Sequence, residues 1–240
     1  MTSKPALTLL ILCATAALVS ADKKDKFIVS TRFNRDAIVY LNRGTDLMEK
    51  GDTQGARKNF EAALRVDPKI WPAYLNRAGI YAREGKWELA LQDCNAAMRL
   101  RPGFFRTAIL RANVNQNLGN DRESLADLNT VISLHADDET DAVALSQRAW
   151  LRALSRDQAV SNPEQALADA RLACRLNYWK KASYLEALAV ACAANGDFDA
   201  AVRYEQQAIK SDKLHPDELK LARVRLAQYA QRKPLRRDSR

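Results

Sequence analysis

Four arginines stand in register along the chain. Arg43, Arg77 and Arg111 are thirty-four residues apart, and Arg148 occupies the same place in the next segment. Guanidinium groups repeated in this way suit either a basic ladder that grips an acidic peptide or polymer, or a series of internal ion pairs. Asp93, Asp127 and Asp169 recur at another shared place, in the same segments as Arg77, Arg111 and Arg148. They favour internal pairing, with Arg77, Arg111 and Arg148 each expected within salt-bridge distance of one aspartate. Asn42 and Asn76 directly precede two of the arginines. A helix turns by about 100° per residue, so the asparagines face elsewhere and keep a claim to ligand contact.

Other chemistry is sparse. The two histidines, His135 and His215, fall in connecting segments, and the chain contains no HExxH, no GxSxG and no phosphate-binding glycine loop. No catalysis is expected, and no cofactor or metal. Cys94, Cys174 and Cys192 have neither the spacing of a disulfide framework nor that of a zinc site, and their apolar surroundings suit small buried hydrophobes. A single bridge, Cys174 to Cys192, stays open for an oxidising compartment.

The elements that hold these residues are helices. The interval of thirty-four also separates Gly51, Gly85 and Gly119, then Ala56, Ala90 and Ser124, and Pro68 and Pro102. Within one interval the apolar residues Ile38, Leu41, Leu47 and Met48, then Ala56, Phe60, Ala63 and Leu64, have helical spacing. Lys50-Gly51-Asp52 between them reads as a helix stop. Each segment is therefore helix, tight turn, helix. The small residues Gly44, Ala63, Ala78 and Ala97 let backbones approach, and Tyr40, Phe60, Tyr74 and Tyr81 fill the space beside them. One such pair cannot bury both apolar faces, so successive pairs must stack.

These residues resemble the tetratricopeptide repeat. Tyr74, Ala78, Tyr81, Ala90, Cys94, Ala97 and Pro102 stand at the family's places in the second unit, and the first, third, fourth and fifth units follow with increasing departures. The units are read as 37–70, 71–104, 105–138, 142–179 and 182–213, with a capping helix over 214–231 and a basic tail over 232–240. In the fourth unit Ser155 to Pro163 lengthens the turn, Asn162 and Pro163 start the second helix, and Asp137, Asp138, Glu139 and Asp141 form an acidic loop ahead of it. The resemblance implies an all-α, right-handed α-solenoid whose concave groove, lined mainly by first helices, binds a peptide or a partner helix. Candidate groove residues are Asn42, Asn76, Arg83, Arg106, Asn113, Gln116, Asn117, Gln147 and Trp150, with Trp150 expected as an exposed anchor. Asn76 and Arg106 match part of the family's carboxylate clamp. Leu41, Thr45 and Leu110 occupy the remaining places, which argues against clamping of that kind.

Residues 1–21 read differently. Lys4, an uncharged apolar stretch from Ala6 to Val19, and small residues at Val19 and Ala21 form a signal-peptide pattern of the exported bacterial type, cleaved before Asp22. That apolar stretch is shorter than the roughly 20 residues of a membrane span. Residues 22–36 are read as a linker. The mature chain is expected in the periplasm or the medium, where its net charge, +9 for the whole chain, has little nucleic acid to meet. The sequence thus predicts a protein or peptide partner. The alternative is an assembly role in the cell envelope, through contact of the basic surface with anionic lipid or polymer.

Overall fold

The computed structural model describes residues 33–211 and 214–235; the leader pattern over 1–21, most of the linker and the end of the basic tail lie outside them. The described residues form eleven α-helices and no strand: α1 (Arg35–Glu49), α2 (Thr53–Val66), α3 (Trp71–Arg83), α4 (Trp87–Leu100), α5 (Phe105–Leu118), α6 (Asp121–Leu134), α7 (Asp138–Leu154), α8 (Pro163–Leu176), α9 (Ala182–Ala194), α10 (Phe198–Ser211) and α11 (Pro216–Ala230). The chain divides after Leu118 into an N-terminal unit, α1–α5, and a C-terminal unit, α6–α11.

In the N-terminal unit, α1 pairs with α2 and α3 with α4. Asn34 starts α1 by accepting the Asp36 N–H, so the helix begins inside the segment read as linker. Phe60 is fully buried beside Gly44. A Cβ at Gly44 would stand 2.5 Å from the Phe60 Cε1 atom, so this glycine lets two helices close upon one ring. Gly44→Ala adds helix propensity of about 1 kcal/mol but overpacks a closed core at about 1–3 kcal/mol. The net expectation is a loss of up to roughly 2 kcal/mol, read as a lower urea midpoint of the N-terminal unit. An unchanged midpoint would mean that the Phe60 ring yields freely.

In the C-terminal unit, α9 is the central element, packing on α7, α8 and α10, while α11 packs on α10. Nearly all of α9 is buried, which explains its Ala- and Leu-rich sequence without a polar face. The long turn before Pro163 is ordered rather than loose. Val160 is buried, Ser155 Oγ donates to Asp121 Oδ2 at 2.6 Å, and Arg122 Nε donates to Asp157 Oδ2 at 2.6 Å. Asn162 caps α8 by accepting the Gln165 N–H at 3.0 Å. The stretch read as an acidic loop is instead the start of α7. Asp137 accepts from both Thr140 N and Thr140 Oγ1, and Asp138, Glu139 and Asp141 lie in the first turn, where carboxylates meet the positive end of the helix dipole.

Helices α1, α3 and α9 end alike. The residue after the cap is left-handed and donates three residues back, and the next donates five residues back: Gly51 to Met48 and Asp52 to Leu47, Gly85 to Ala82 and Lys86 to Tyr81, Gly196 to Ala193 and Asp197 to Cys192. Glycine adopts that backbone without steric cost. The end of α8 makes the same two bonds, Tyr178 to Arg175 and Trp179 to Cys174, with tyrosine where the others have glycine. Tyr178 and Trp179 are both left-handed, with φ of 53° and 61°. For residues with a Cβ this costs about 1–2 kcal/mol each.

Candidate partner-binding groove

The arginine register resolves first. Arg77 on α3 makes two parallel bonds to Asp93 on α4, Nε to Oδ2 at 2.7 Å and Nη2 to Oδ1 at 2.8 Å, while its guanidinium lies between the Tyr74 and Tyr81 rings. Arg148 on α7 repeats the fork on Asp169 of α8 at 2.8 Å for both bonds, and Arg152 adds a third bond at 2.9 Å. These are ties between helices, as the aspartate spacing predicts. Arg111 Nη1 donates to Asn95 Oδ1 at 2.9 Å, so an amide on α4 joins this arginine's shell.

With Arg77, Arg111 and Arg148 turned to their partners, the amides on first helices remain. On α5, Asn117 Nδ2 donates to the Asn113 carbonyl at 2.8 Å, whereas Asn113 Nδ2 is buried with no partner among the described residues. Gln116 beside them is half-buried. On α3, Asn76 is half-buried and the Arg83 Nε is buried without a partner, while Asn42 on α1 is exposed. Arg106 sets its guanidinium 5.9 Å from the Phe105 ring centre.

In the C-terminal unit, Gln147 and Trp150 stand one turn apart on α7. Both amide atoms of Gln147 and the Trp150 Nε1 are buried and lack hydrogen-bond partners among the described residues. Trp150 is only 6% exposed, which corrects the expectation of an exposed anchor. Its ring belongs to the core around α9, and the Arg225 guanidinium of α11 lies 5.8 Å from its centre.

Arg225 leads to a cluster that the repeat pattern does not contain. Its Nε donates to Glu205 Oε1 on α10 at 2.8 Å, and its Nη2 donates to Glu186 Oε1 on α9. Two buried carboxylates thus share one guanidinium. Burial pushes Glu205 up to about 7 and outweighs the pull of Arg225, because its Oε2 accepts no hydrogen bond among the described residues. Glu186 is raised for the same reason. Sequence carried one signal for this site: Glu186 is the lone charged residue in the apolar helix α9.

The cysteines are free buried thiols, so the Cys174–Cys192 bridge left open by the sequence is not made. Burial raises Cys174 to about 12 and Cys192 to about 11, far from the reactive thiolate range. Among the described residues no group of His, Cys, Asp and Glu could hold a metal ion, and no helix is long and apolar enough to cross a membrane.

Comparison with known proteins agrees with this geometry. A family model described as tetratricopeptide repeat matches residues 41–103. Residues 41–103 thus match the tetratricopeptide repeat, and the fold of the described residues is that of tetratricopeptide repeat proteins. The described helices superimpose on a tetratricopeptide repeat protein of Thermus thermophilus at 20% identity and TM-score 0.62, over 81% of this chain and 99% of that one. YrrB, a tetratricopeptide repeat protein with an unusual peptide-binding site, is similar at 19% identity and TM-score 0.58, over 85% of this chain and 98% of its own. PilW, a type IV pilus biogenesis factor, reaches TM-score 0.69 at 18% identity, over 83% of this chain and 88% of its own. At these identities the likeness is one of fold. No curated protein matches the chain significantly by sequence. The tetratricopeptide repeat fold is that of a protein interaction scaffold.

Proposed function

We propose that this tetratricopeptide repeat protein is a non-enzymatic scaffold that binds an extended peptide on its first helices, with Gln147 of α7 as the central contact in the C-terminal unit. One observation carries the reading: the primary amide of Gln147, a half-buried residue, holds a donor and an acceptor that nothing among the described residues satisfies. A buried polar group without a partner costs about 1–3 kcal/mol, so an occupant that supplies partners is favoured. A peptide backbone offers alternating N–H and C=O groups that a glutamine amide meets with both its atoms. Asn113 supplies a similar unmet donor in the N-terminal unit. The leader pattern supports placing this activity outside the cytoplasm, in the periplasm or the medium.

The reading is tested by selecting peptides from a random displayed library on the immobilised chain and titrating the winners by fluorescence anisotropy. Gln147→Ala removes two hydrogen bonds and is expected to weaken binding about tenfold. Circular dichroism should stay unchanged. A library without enriched sequences, or winners indifferent to both Gln147→Ala and Asn113→Ala, would overturn it.

A further inference from the structure

The turn after α8 differs from the glycine ends of α1, α3 and α9 and, unlike the left-handed His135 after α6 and Arg232 after α11, sets two left-handed residues in succession. Where α1, α3 and α9 place glycine, α8 places Tyr178, and a second left-handed aromatic residue, Trp179, comes next. Left-handed backbone at residues with a Cβ persists where the surroundings hold it, and such outliers gather at functional surfaces. The core does not explain this one, because Tyr178 is 77% exposed. Nor is the turn slack. Besides the two helix-end bonds, Lys180 N donates to the Asn177 carbonyl and Lys181 N to Asn177 Oδ1, and the Trp179 ring stacks on Tyr204 of α10 at 6.2 Å and 22°. The fold therefore presents two aromatic side chains on a rigid support.

The charge along this stretch of the chain has one sign. Residues 171–185 contain Arg171, Arg175, Lys180 and Lys181 and no Asp or Glu. Lys181 pairs with Glu139 at 3.1 Å, whereas Arg171, Arg175 and Lys180 make no ion pair among the described residues. The Lys180 ammonium lies 5.7 Å from the Tyr178 ring centre, so cation and aromatic point the same way. Leu172, one turn before the end of α8, adds an exposed apolar side chain.

We infer that the Tyr178-Trp179-Lys180 turn, with Arg171 and Arg175, is a docking surface for an anionic phospholipid membrane. Tyrosine and tryptophan settle at the headgroup level because their rings are apolar and their tips polar, while neighbouring cations meet the negative surface potential. Tyr204 covers one face of the Trp179 ring. The indole thus offers an edge and tip, suited to the headgroup layer, rather than an open platform for a nucleic-acid base. The inference does not rest on the groove reading, since none of these residues is a groove candidate. It assigns the envelope contact first ascribed to a diffuse basic surface to one turn.

The test is vesicle co-sedimentation of the full chain. Residues 6–19 are apolar in their own right. Binding is therefore read as the difference between phosphatidylcholine vesicles with and without phosphatidylglycerol, for wild type and variants side by side. Tyr178→Gly places there the residue used at the ends of α1, α3 and α9, so it should keep or raise the melting temperature while weakening the anionic-lipid increment at least about fivefold. Tyr178→Asn, which also accepts left-handed backbone, should do the same, and Lys180→Glu should exceed it. The inference is overturned if wild type shows no anionic increment, or if both Tyr178 variants bind as wild type does. It is equally overturned if the variants lose affinity for polyglutamate or an oligothymidylate while vesicle binding stands, which would assign the turn to an acidic protein or to nucleic acid.

Discussion

Replacing Arg225 by alanine is expected to destabilise the C-terminal unit by about 3–5 kcal/mol, the usual penalty for breaking a buried ion cluster from one side. The reason is charge rather than lost packing. Glu186 is 8% exposed and Glu205 0%, and both bond only to this guanidinium among the described residues. Without it, two carboxylates face each other in a dry interior and must be protonated or rehydrated. Losing the guanidinium also uncovers the Trp150 ring. Two further variants separate these effects. Arg225→Met keeps most of the packing and should still lose most of the stability, whereas Arg225→Met with Glu186→Gln and Glu205→Gln should recover much of it. Thiol labelling in a urea series reads the outcome unit by unit, since Cys174 and Cys192 are buried in the C-terminal unit and Cys94 in the N-terminal one. A change at Cys94 as large as that at Cys174, or a loss under about 1 kcal/mol for Arg225→Ala, would contradict this account.

How far such features can be read from sequence depends on whether they share the repeat period. Arg77 with Asp93 and Arg148 with Asp169 were legible because each pair recurs at matching places of successive units. Gly51 and Gly85 were legible because a helix end that needs positive φ selects glycine. The start of α8 at Pro163 was legible from Asn162, whose side chain caps it. The Arg225 cluster joins three helices at separations of 20 and 39 residues, neither of which is the period, so no pattern search meets it. Trp150 misled for a related reason: its place in the unit is a groove place, and what covers it comes from the capping helix, outside the repeat. Tyr178 and Trp179 were silent because their residue types argue against the backbone they adopt. The acidic run at Asp137 to Asp141 was ambiguous, since the same residues serve a solvated loop and a helix start, and only the two Thr140 bonds decide between them.

Stability should fall as the pH rises from about 5 to about 8, with most of the change traceable to Glu205. Its ordinary value is 4.5 and its value in the fold about 7, raised chiefly by burial. Between those two values the folded chain binds a proton that the unfolded chain has released. The contribution is present below the unfolded value and is lost as the pH climbs through the folded one. Each pH interval of one between the two values is worth about 1.4 kcal/mol, so the loss comes to about 3 kcal/mol in all. The groups facing Glu205 act in known directions: Arg225 of α11 draws its value down, and Glu186 of α9 pushes it up. Tyr229 of α11 is itself raised by burial and by Glu205, which keeps its phenol neutral throughout. Glu186 is also raised, so its titration adds in the same sense. Surface charge works the other way, because a chain of net charge +9 repels itself less as protons leave, but salt screens that effect and a neutral variant shares it. Urea midpoints for wild type and Glu205→Gln across this range isolate the buried group. Wild type should lose stability and Glu205→Gln should stay nearly level. A wild-type curve that rises with pH and parallels the variant would show instead that Glu205 is ionised in the fold, with Arg225 serving it as a full counter-ion.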